Sequence, residues 1–441
     1  MLLEKISKLT FPIAEMSFHR AIREKFDLIK QEMAQPYSVR KARQLQKLHH
    51  QLKLAQLKVP YYQDLFKKKK FNPDLVLKDI RYFEELPYLD KETVRTELKR
   101  FINVDYDIKK LIIRETNGST GPTIPVFYNL EALDWSSAVN LYTNFILGKS
   151  PSKKEIYIEP NELIERNISE RLIDIFKSIT LNRKNLRYKT LDDDELDRLC
   201  RKLKQAKPLL VLSTPTTFNA LARYVKRNPR RSLSLNTLIS TGEILDDLKK
   251  KEIEKYLKCR IFNRLGNAEI GIYAHDTLTE QLAIIDSVAF VETALDPTSS
   301  SSQIIITNLK NDAMPLIRYK TGDLGEKVVN EHGEFLKNIY GRVHEILYIN
   351  GESIHTNLVK ETLFKIGNVD DFQIHKSAEH GYLLKIVADT NFRSSIREKI
   401  RQIWGMNFEI EFTSVDQLSQ VGLRRKFQYF IDDTMTHGER K

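Results

Sequence analysis

The chain reads as an α/β protein with two domains. The large N-terminal domain has doubly wound, mostly parallel sheets plus a β-rich subdomain. A small α+β C-terminal domain follows. Three observations predict this. From about Lys110 to Gly341 strand-like and helix-like segments alternate, which is the pattern of βαβ units. After Gln281 the texture becomes strand-rich. From about His344 to Lys441 a separate set of short strands and helices appears. The boundary is therefore placed between residues 1–343 and 344–441, and residues 1–99 form a mostly helical N-terminal region.

Each element has its own signal. Ser17 to about Lys99 is helical in pattern, and the run through Val39 to Val59 is expected to end at Pro60-Tyr61-Tyr62. Lys110 to Arg114 and Ile124 to Tyr128 read as strands. Leu133 to Leu147 reads as a helix and Glu155 to Glu159 as a strand. Three aspartates open an amphipathic helix over Asp192 to Ala206, and Leu209 to Ser213 is a continuous apolar strand. Thr216 to Lys226 is helix, Thr237 to Ser240 strand, Leu245 to Leu257 helix and Arg260 to Asn263 strand. Ile284 to Leu295, Gln303 to Leu309 and Gly325 to Val329 supply the β-rich part. No internal repeat or low-complexity segment interrupts the order.

Composition narrows the function classes. The 441 residues allow two or three domains with ample core, and 41% hydrophobic with 29% charged residues describes an ordinary soluble globular chain. Cys200 and Cys259 are too few for a disulfide framework or a structural zinc site, so a reducing, cytoplasmic setting is expected. Met1-Leu2-Leu3-Glu4-Lys5 lacks a signal-peptide layout, and no apolar run approaches the ~20 residues of a membrane span. The net charge of +12 is dispersed over Lys67 to Lys70, Arg227 to Arg231, Lys249 to Lys251 and Arg424-Arg425-Lys426. The first three clusters read as solvated surface. No concentrated basic stripe with interleaved aromatics marks a specific nucleic-acid surface. A basic balance also suits a polyanionic substrate through long-range steering.

Thr116-Asn117-Gly118-Ser119-Thr120-Gly121, between two strands, is the first candidate site. Its glycines permit close backbone approach, and Ser119 and Thr120 add side-chain donors, so the loop can cradle phosphate. It lacks the Gly-Lys-Ser/Thr ending of a Walker A loop. An ordinary Gly/Ser/Thr hairpin would use the same residues. Open parallel sheets bind ligands outside the carboxyl ends of their strands. Two such ends carry Thr241-Gly242-Glu243 and Gly266-Asn267-Ala268-Glu269, each pairing a glycine with a carboxylate that can hold Mg²⁺ or a ribose hydroxyl. Plain turns with a helix-capping Glu are the alternative. Further on, an apolar strand is expected to run through Met314-Pro315-Leu316-Ile317 into the turn Thr321-Gly322-Asp323, leaving Asp323 exposed to accept two ribose hydroxyls. Gly341-Arg342 and Gly351 follow.

Together these strings resemble the adenylate-forming superfamily of acyl- and aryl-CoA ligases, and within it the phenylacetate–CoA ligase and capsular-polysaccharide-biosynthesis-type branch. The resemblance covers nearly the whole chain in order, from Val59-Pro60-Tyr61-Tyr62 and Leu86 to Lys91 onward. It implies that Thr116, Gly118, Ser119, Thr120 and Gly121 hold phosphates, and that Thr241, Gly242 and Glu243 flank the adenine. It implies that Gly266 and Asn267 line the nucleotide, Glu269 binds Mg²⁺ and Asp323 binds the ribose. Arg342 would precede an interdomain hinge near His344, and Lys426 would be the catalytic lysine of a mobile C-terminal domain. Departures are Pro122-Thr123 after the loop, Ala268 for a threonine, Leu265 for a tyrosine and Arg425 for a glycine. His275-Asp276 stands where many relatives carry Cys and His, so no zinc is expected.

The implied activity is ATP-dependent conversion of a carboxylic acid to an acyl-adenylate with pyrophosphate release. Transfer to coenzyme A, a carrier-protein thiol or an amine would follow. ATP and Mg²⁺ are the expected cofactors. A homodimer stays open. The Ala268 and Leu265 changes also allow a catalytically impaired binding or scaffold subunit, against which the retention of Glu269, Asp323, Arg342 and Lys426 argues. Trp135, Tyr142 and Phe145 are placed either in an apolar acid pocket or in core packing.

Overall fold

The computed structural model describes residues 10–12, 15–16, 19–115, 123–150, 153–161, 178, 180–295, 302–342, 346–349, 351–377, 381–414, 417–421 and 426–434. The N-terminal helices α1 (Ile22–Met33), α2 (Tyr37–Lys58) and α3 (Pro60–Lys69) are followed by the short α4 (Lys91–Thr96). Pro60 does not close the helical pattern for long. Val59 alone is extended, at φ −117° and ψ 109°, and Pro60 occupies the first turn of α3. Proline suits that position because its missing N–H would have had no intrahelical partner there. The buried positions of α2 (Arg40, Gln44, Leu48, Gln51, Leu52 and Ala55) recur at helical spacing. The polar ones have partners across the chain: Arg40 reaches Asp286 at 2.6 Å, and Gln44 Nε2 donates to the Ala289 carbonyl at 2.8 Å.

β1 (Ile112–Glu115) and β2 (Pro125–Tyr128) form an antiparallel pair leading into α5 (Leu130–Phe145). The segment Thr116 to Gly121 between them lies outside the described residues. A parallel block follows, made of β3 (Glu155–Pro160), β4 (Arg183–Tyr188), β5 (Leu210–Ser213), β6 (Thr237–Thr241) and β7 (Arg260–Asn267). Its crossovers are α6 (Asp193–Ala206), α7 (Pro215–Arg227) and α8 (Asp247–Leu257). β8 (Gly271–Asp276), β9 (Leu282–Ile284), β10 (Ala289–Leu295), β11 (Ser302–Asn308), β12 (Tyr319–Asn330) and β13 (Gly333–Arg342) continue the same sheet in antiparallel pairings. The order across its eleven strands is β10-β11-β12-β13-β9-β8-β7-β6-β5-β3-β4. The parallel block and the β-rich part are thus one continuous surface.

Alternation along the strands separates two apolar layers. Val211, Leu238 and Ile261 pack with Leu196, Leu199, Leu203, Phe218, Leu221 and Ile253 of the crossover helices. Their neighbours Leu210, Leu212, Ile239 and Phe262 face the other way, against Leu147 just past α5. Successive side chains point to opposite faces, so a continuous apolar strand needs cover on both. α6 shows how locally such a helix is encoded. Asp192 caps it by accepting from the Glu195 N–H, and Leu196, Leu199, Cys200 and Leu203 form the buried stripe.

Met314 to Arg318 is irregular rather than a strand, and regular pairing starts only at Tyr319. Arg318 sits at φ +53°, and its guanidinium is spent on Glu292 and on the Phe83, Glu84 and Leu86 carbonyls. Those bonds fix Leu89 beside Tyr319. Beyond residue 346 lie the hairpin β14 (Ile346–Ile349) and β15 (Glu352–His355), α9 (Thr356–Ile366), β16 (Asp371–Ser377), β17 (Gly381–Val387), α10 (Arg393–Trp404), β18 (Phe408–Thr413), β19 (Gln420–Val421), β20 (Lys426–Phe427) and β21 (Phe430–Asp432). Their four-stranded sheet has the order β18-β17-β16-β21. Its core, which includes Leu347, Leu363, Phe372, Ile400 and Trp404, draws only on residues from Leu347 to Phe430. Among the described residues no helix is long and apolar enough to cross a membrane.

Candidate nucleotide and acid site

The carboxyl ends of β5, β6 and β7 converge. Past β6, Gly242 takes φ +86°, which a side chain would strain, and turns Glu243 back toward α7. Glu243 Oε2 accepts from Thr216 Oγ1 at 2.7 Å and from the Thr216 N–H at 3.2 Å. Its Oε1 accepts from the Phe427 N–H at 3.3 Å. Burial raises the Glu243 pKa, against the opposing pull of Thr216 and of the Lys249 charge. Thr216 was not among the expected site residues. The available signal was Thr214-Pro215 at the end of an apolar strand, since Thr214 caps α7 by accepting from the Thr217 N–H.

Past β7, Gly266 is required by close approach. A Cβ there would lie 2.8 Å from the Gly271 carbonyl oxygen and 3.0 Å from Ile272 Cα. The Asn267 side chain closes the turn by accepting from the Ile270 N–H at 2.8 Å. Two tyrosines then tie this turn to its neighbours. Tyr128, at the end of β2, donates to the Ala268 carbonyl at 2.6 Å. Tyr319, at the start of β12, donates to Glu269 Oε1 at 3.0 Å. Glu269 is 8% exposed, and this bond leaves it a second oxygen. Among the described residues no trio of His, Cys, Asp or Glu stands together as a metal site. A Mg²⁺ held largely by phosphates and water needs only one or two carboxylates, and Glu269 fits that demand.

Asp323 lies within β12, not in an exposed turn, and is half-buried opposite Arg342 of β13. Gly322 at φ +78° and a register irregularity between Leu324 and Glu326 allow the kink. Thr321 Oγ1 accepts from the Asp323 N–H at 3.1 Å and donates to the Ile304 carbonyl. Lys426 pairs with Val421 in β20. The side chains of Arg342 and Lys426 lie outside the described residues. Glu243, Phe427 beside Lys426, and Thr216 thus meet; Glu269, Tyr319 and Tyr128 meet beside the Thr321-Gly322-Asp323 segment.

One expectation changes here. Lys249 is not solvated surface: it is 3% exposed, its Nζ 3.5 Å from Asp371 and 4.8 Å from the Tyr429 ring centre. The C-terminal region covers the start of α8, a contact no local charge pattern can announce. Lys360 meets Asp246 at 2.7 Å in the same seam. Burial lowers the Lys360 pKa against the pull of Asp246; burial also pushes Asp246 up, but Lys360 and Lys249 more than offset it and hold it low. The aromatics of α5 make packing contacts. Trp135 lies beneath Lys310, 3.7 Å from its ring centre, and Phe145 meets Phe26 edge-on at 5.6 Å. Tyr142 packs against the main core.

No family model matches the sequence. Protein CapK from Staphylococcus aureus is 20% identical over 382 residues, covering 83% of this chain and 84% of CapK. The phenylacetate–coenzyme A ligase of Pseudomonas putida is 21% identical over 355 residues, covering 75% and 77%. Among solved structures, 2-hydroxyisobutyryl-CoA ligase in its postadenylation state, in complex with R3-HIB-AMP, superposes with a TM-score of 0.69 at 17% identity, covering 88% of this chain and 89% of that one. The same ligase in its thioesterification state superposes at 0.57 with 18% identity, covering 92% of each chain. The chain is thus similar along most of its length to CapK and to phenylacetate–coenzyme A ligase, and it shares the fold of 2-hydroxyisobutyryl-CoA ligase, an adenylate-forming acyl-CoA ligase.

Proposed function

We propose that this chain activates a carboxylic acid with ATP, releases pyrophosphate, and passes the acyl group from the adenylate to the thiol of coenzyme A. The observation that carries the reading is the Phe427–Glu243 bond. It seats the strand bearing Lys426 on the Thr241-Gly242-Glu243 loop, 184 residues away in sequence. The chain divides into residues 1–343 and 344–441, with a hinge near His344. The higher TM-score against the postadenylation state supports reading this arrangement as the adenylate-side one.

In the first step a carboxylate oxygen of the acid attacks the α-phosphorus, and the α–β bridging oxygen leaves with pyrophosphate. The nucleophile belongs to the substrate, so the protein's work is positioning and charge stabilisation. Thr116, Gly118, Ser119, Thr120 and Gly121 cradle phosphates, and Asp323 accepts the ribose hydroxyls beside Arg342. Thr241, Gly242, Glu243, Gly266 and Asn267 shape the nucleotide wall. Glu269, held by Tyr319, is the residue to hold Mg²⁺, which neutralises phosphate charge when bound. Lys426 places its ammonium against the charge developing on the α-phosphate and the attacking carboxylate. Transfer requires the C-terminal part to withdraw Lys426, an ordinary gating motion. The setting is a reducing cytoplasm.

Lys426→Ala tests this directly. Pyrophosphate release should fall ~10²-fold or more, in line with removing one preorganised charge, while ATP affinity changes little. The variant given pre-made acyl-adenylate should still acylate coenzyme A. Equal loss of both half-reactions would show that Lys426 has a structural role instead.

A further inference from the structure

The strand that carries Lys426 is too short to hold itself in place. β19 and β20 pair at two positions, Gln420 with Phe427 and Val421 with Lys426. An isolated antiparallel pair of that length is marginal in water, so its position has to be fixed by other groups. The Phe427 N–H bond to Glu243 is one such tie. It crosses from the C-terminal part to the N-terminal one, so it acts only while the two are docked.

A second tie lies wholly within the C-terminal part. Gln373 of β16 is fully buried, and its amide uses every donor and acceptor it has. Nε2 donates to the Ser419 carbonyl and to the Gln428 carbonyl, each at 2.8 Å. Oε1 accepts from the Ser419 N–H at 2.8 Å and from His375 Nε2 at 3.0 Å. The backbone partners set the orientation of the amide, because a carbonyl only accepts and an N–H only donates. His375 Nε2 therefore carries a hydrogen, and its Nδ1 meets Asp433 Oδ2 just past β21 at 2.8 Å. Ser419 and Gln428 adjoin the Gln420–Phe427 pair, so one side chain joins both strands at the open end of the pair. Beside it the Ile374 N–H donates to the Tyr429 carbonyl at 2.7 Å, and Phe427 packs with Leu418 and Val387.

We propose that Gln373 is the positioning residue for Lys426: its amide fixes the place of the lysine strand on the C-terminal sheet, and His375 holds the amide in turn. The inference rests on the acid-activating function proposed above. Gln373 touches no substrate and acts through the strand that it clamps. A buried polar network with every member satisfied favours one arrangement over its neighbours. That matters for a charge aimed at a transition state, where a misplacement of about 1 Å can cost roughly a hundredfold in rate. Because all its partners belong to the C-terminal part, the clamp travels with Lys426 when that part moves.

The test is Gln373→Met, which keeps the length of the side chain and removes all four hydrogen bonds, read in the two half-reactions separately. The kcat for pyrophosphate release should fall about tenfold or more, with KM for ATP and for the acid within about twofold of the parent. Acyl transfer from supplied adenylate to coenzyme A should be unchanged. Made on top of Lys426→Ala, the same substitution should lower pyrophosphate release little further, since a residue acting through Lys426 has nothing left to position. Should Gln373→Met not fold, Gln373→Glu keeps the size and an acceptor for the Ser419 N–H, loses both donations, and should show the same split between half-reactions. An unchanged kcat, an equal fall in both half-reactions, or an equal fall with and without Lys426 would overturn the proposal. If the unmodified chain releases pyrophosphate with none of a panel of acids, the acid-activating function itself falls, and this assignment with it.

Discussion

Asp323 illustrates how much depends on one side chain in this site. Its backbone N–H is held by Thr321 Oγ1 and its strand partner is Arg342, so its position is set independently of any ligand. An anionic acceptor facing two ribose hydroxyls makes charge-assisted bonds, about 1.5–3 kcal/mol in comparable cases. Asp323→Ala should therefore weaken ATP binding by roughly tenfold to a hundredfold. Calorimetry returning an unchanged affinity in a folded variant would remove Asp323 from the site. Ala268 shows the opposite case: its side chain supplies no donor, but its carbonyl anchors Tyr128.

Between elements, the decisive features are close approaches and docked helices. At Gly266 the β7–β8 turn leaves no room for a methyl group, because the obstacles are backbone atoms of Gly271 and Ile272. Gly266→Ala should cost about 1–3 kcal/mol, the range for overpacking a tight site, and lower the denaturant midpoint with an unchanged slope. A midpoint identical to the parent would show that the turn can open. The docking of α2 has a pH signature. Burial, only partly opposed by Arg40, raises the Asp286 pKa from 3.8 to about 6. A raised carboxylate pKa means that the folded state binds more protons than the unfolded state between those values. Its contribution is therefore greatest at low pH and is lost as pH rises toward 6. Asp286→Asn lacks this titration. The stability of the parent relative to the variant should increase by up to about 3 kcal/mol as pH falls from 7 to 4, from a shift of about two units at 1.36 kcal/mol each. Parallel pH profiles in denaturant titrations would exclude it.

For the whole molecule, the seam between the two parts carries its own chemistry. Lys249 and Asp371 are each 3% exposed at the side chain and 3.5 Å apart, and Lys360, 5% exposed, pairs with Asp246, which is 18% exposed. Breaking such a pair from one side leaves a buried charge uncompensated, a loss of about 3–5 kcal/mol. Lys249→Met should consequently bias the C-terminal part away from this arrangement. Adenylate formation should drop tenfold or more, while acyl transfer from supplied adenylate holds or improves. Equal falls in both half-reactions would show that the pair supports the fold and not the arrangement.

What the sequence by itself determined is whatever rests on short-range pattern. Apolar runs at Leu210 to Ser213 and Thr237 to Thr241 alternating with helices such as Asp193–Ala206 demanded a parallel sheet covered on both faces. Gly242 and Gly266 marked strand ends because only glycine meets their backbone conformation or crowding. What only the tertiary structure decided is which distant groups become partners. Tyr128 with Ala268, Tyr319 with Glu269, Thr216 with Glu243 and Phe427 with Glu243 join residues 140, 50, 27 and 184 positions apart. The burial of Lys249 is of the same kind. Periodicity encodes which way a side chain faces, but the identity of what it meets depends on how the chain returns.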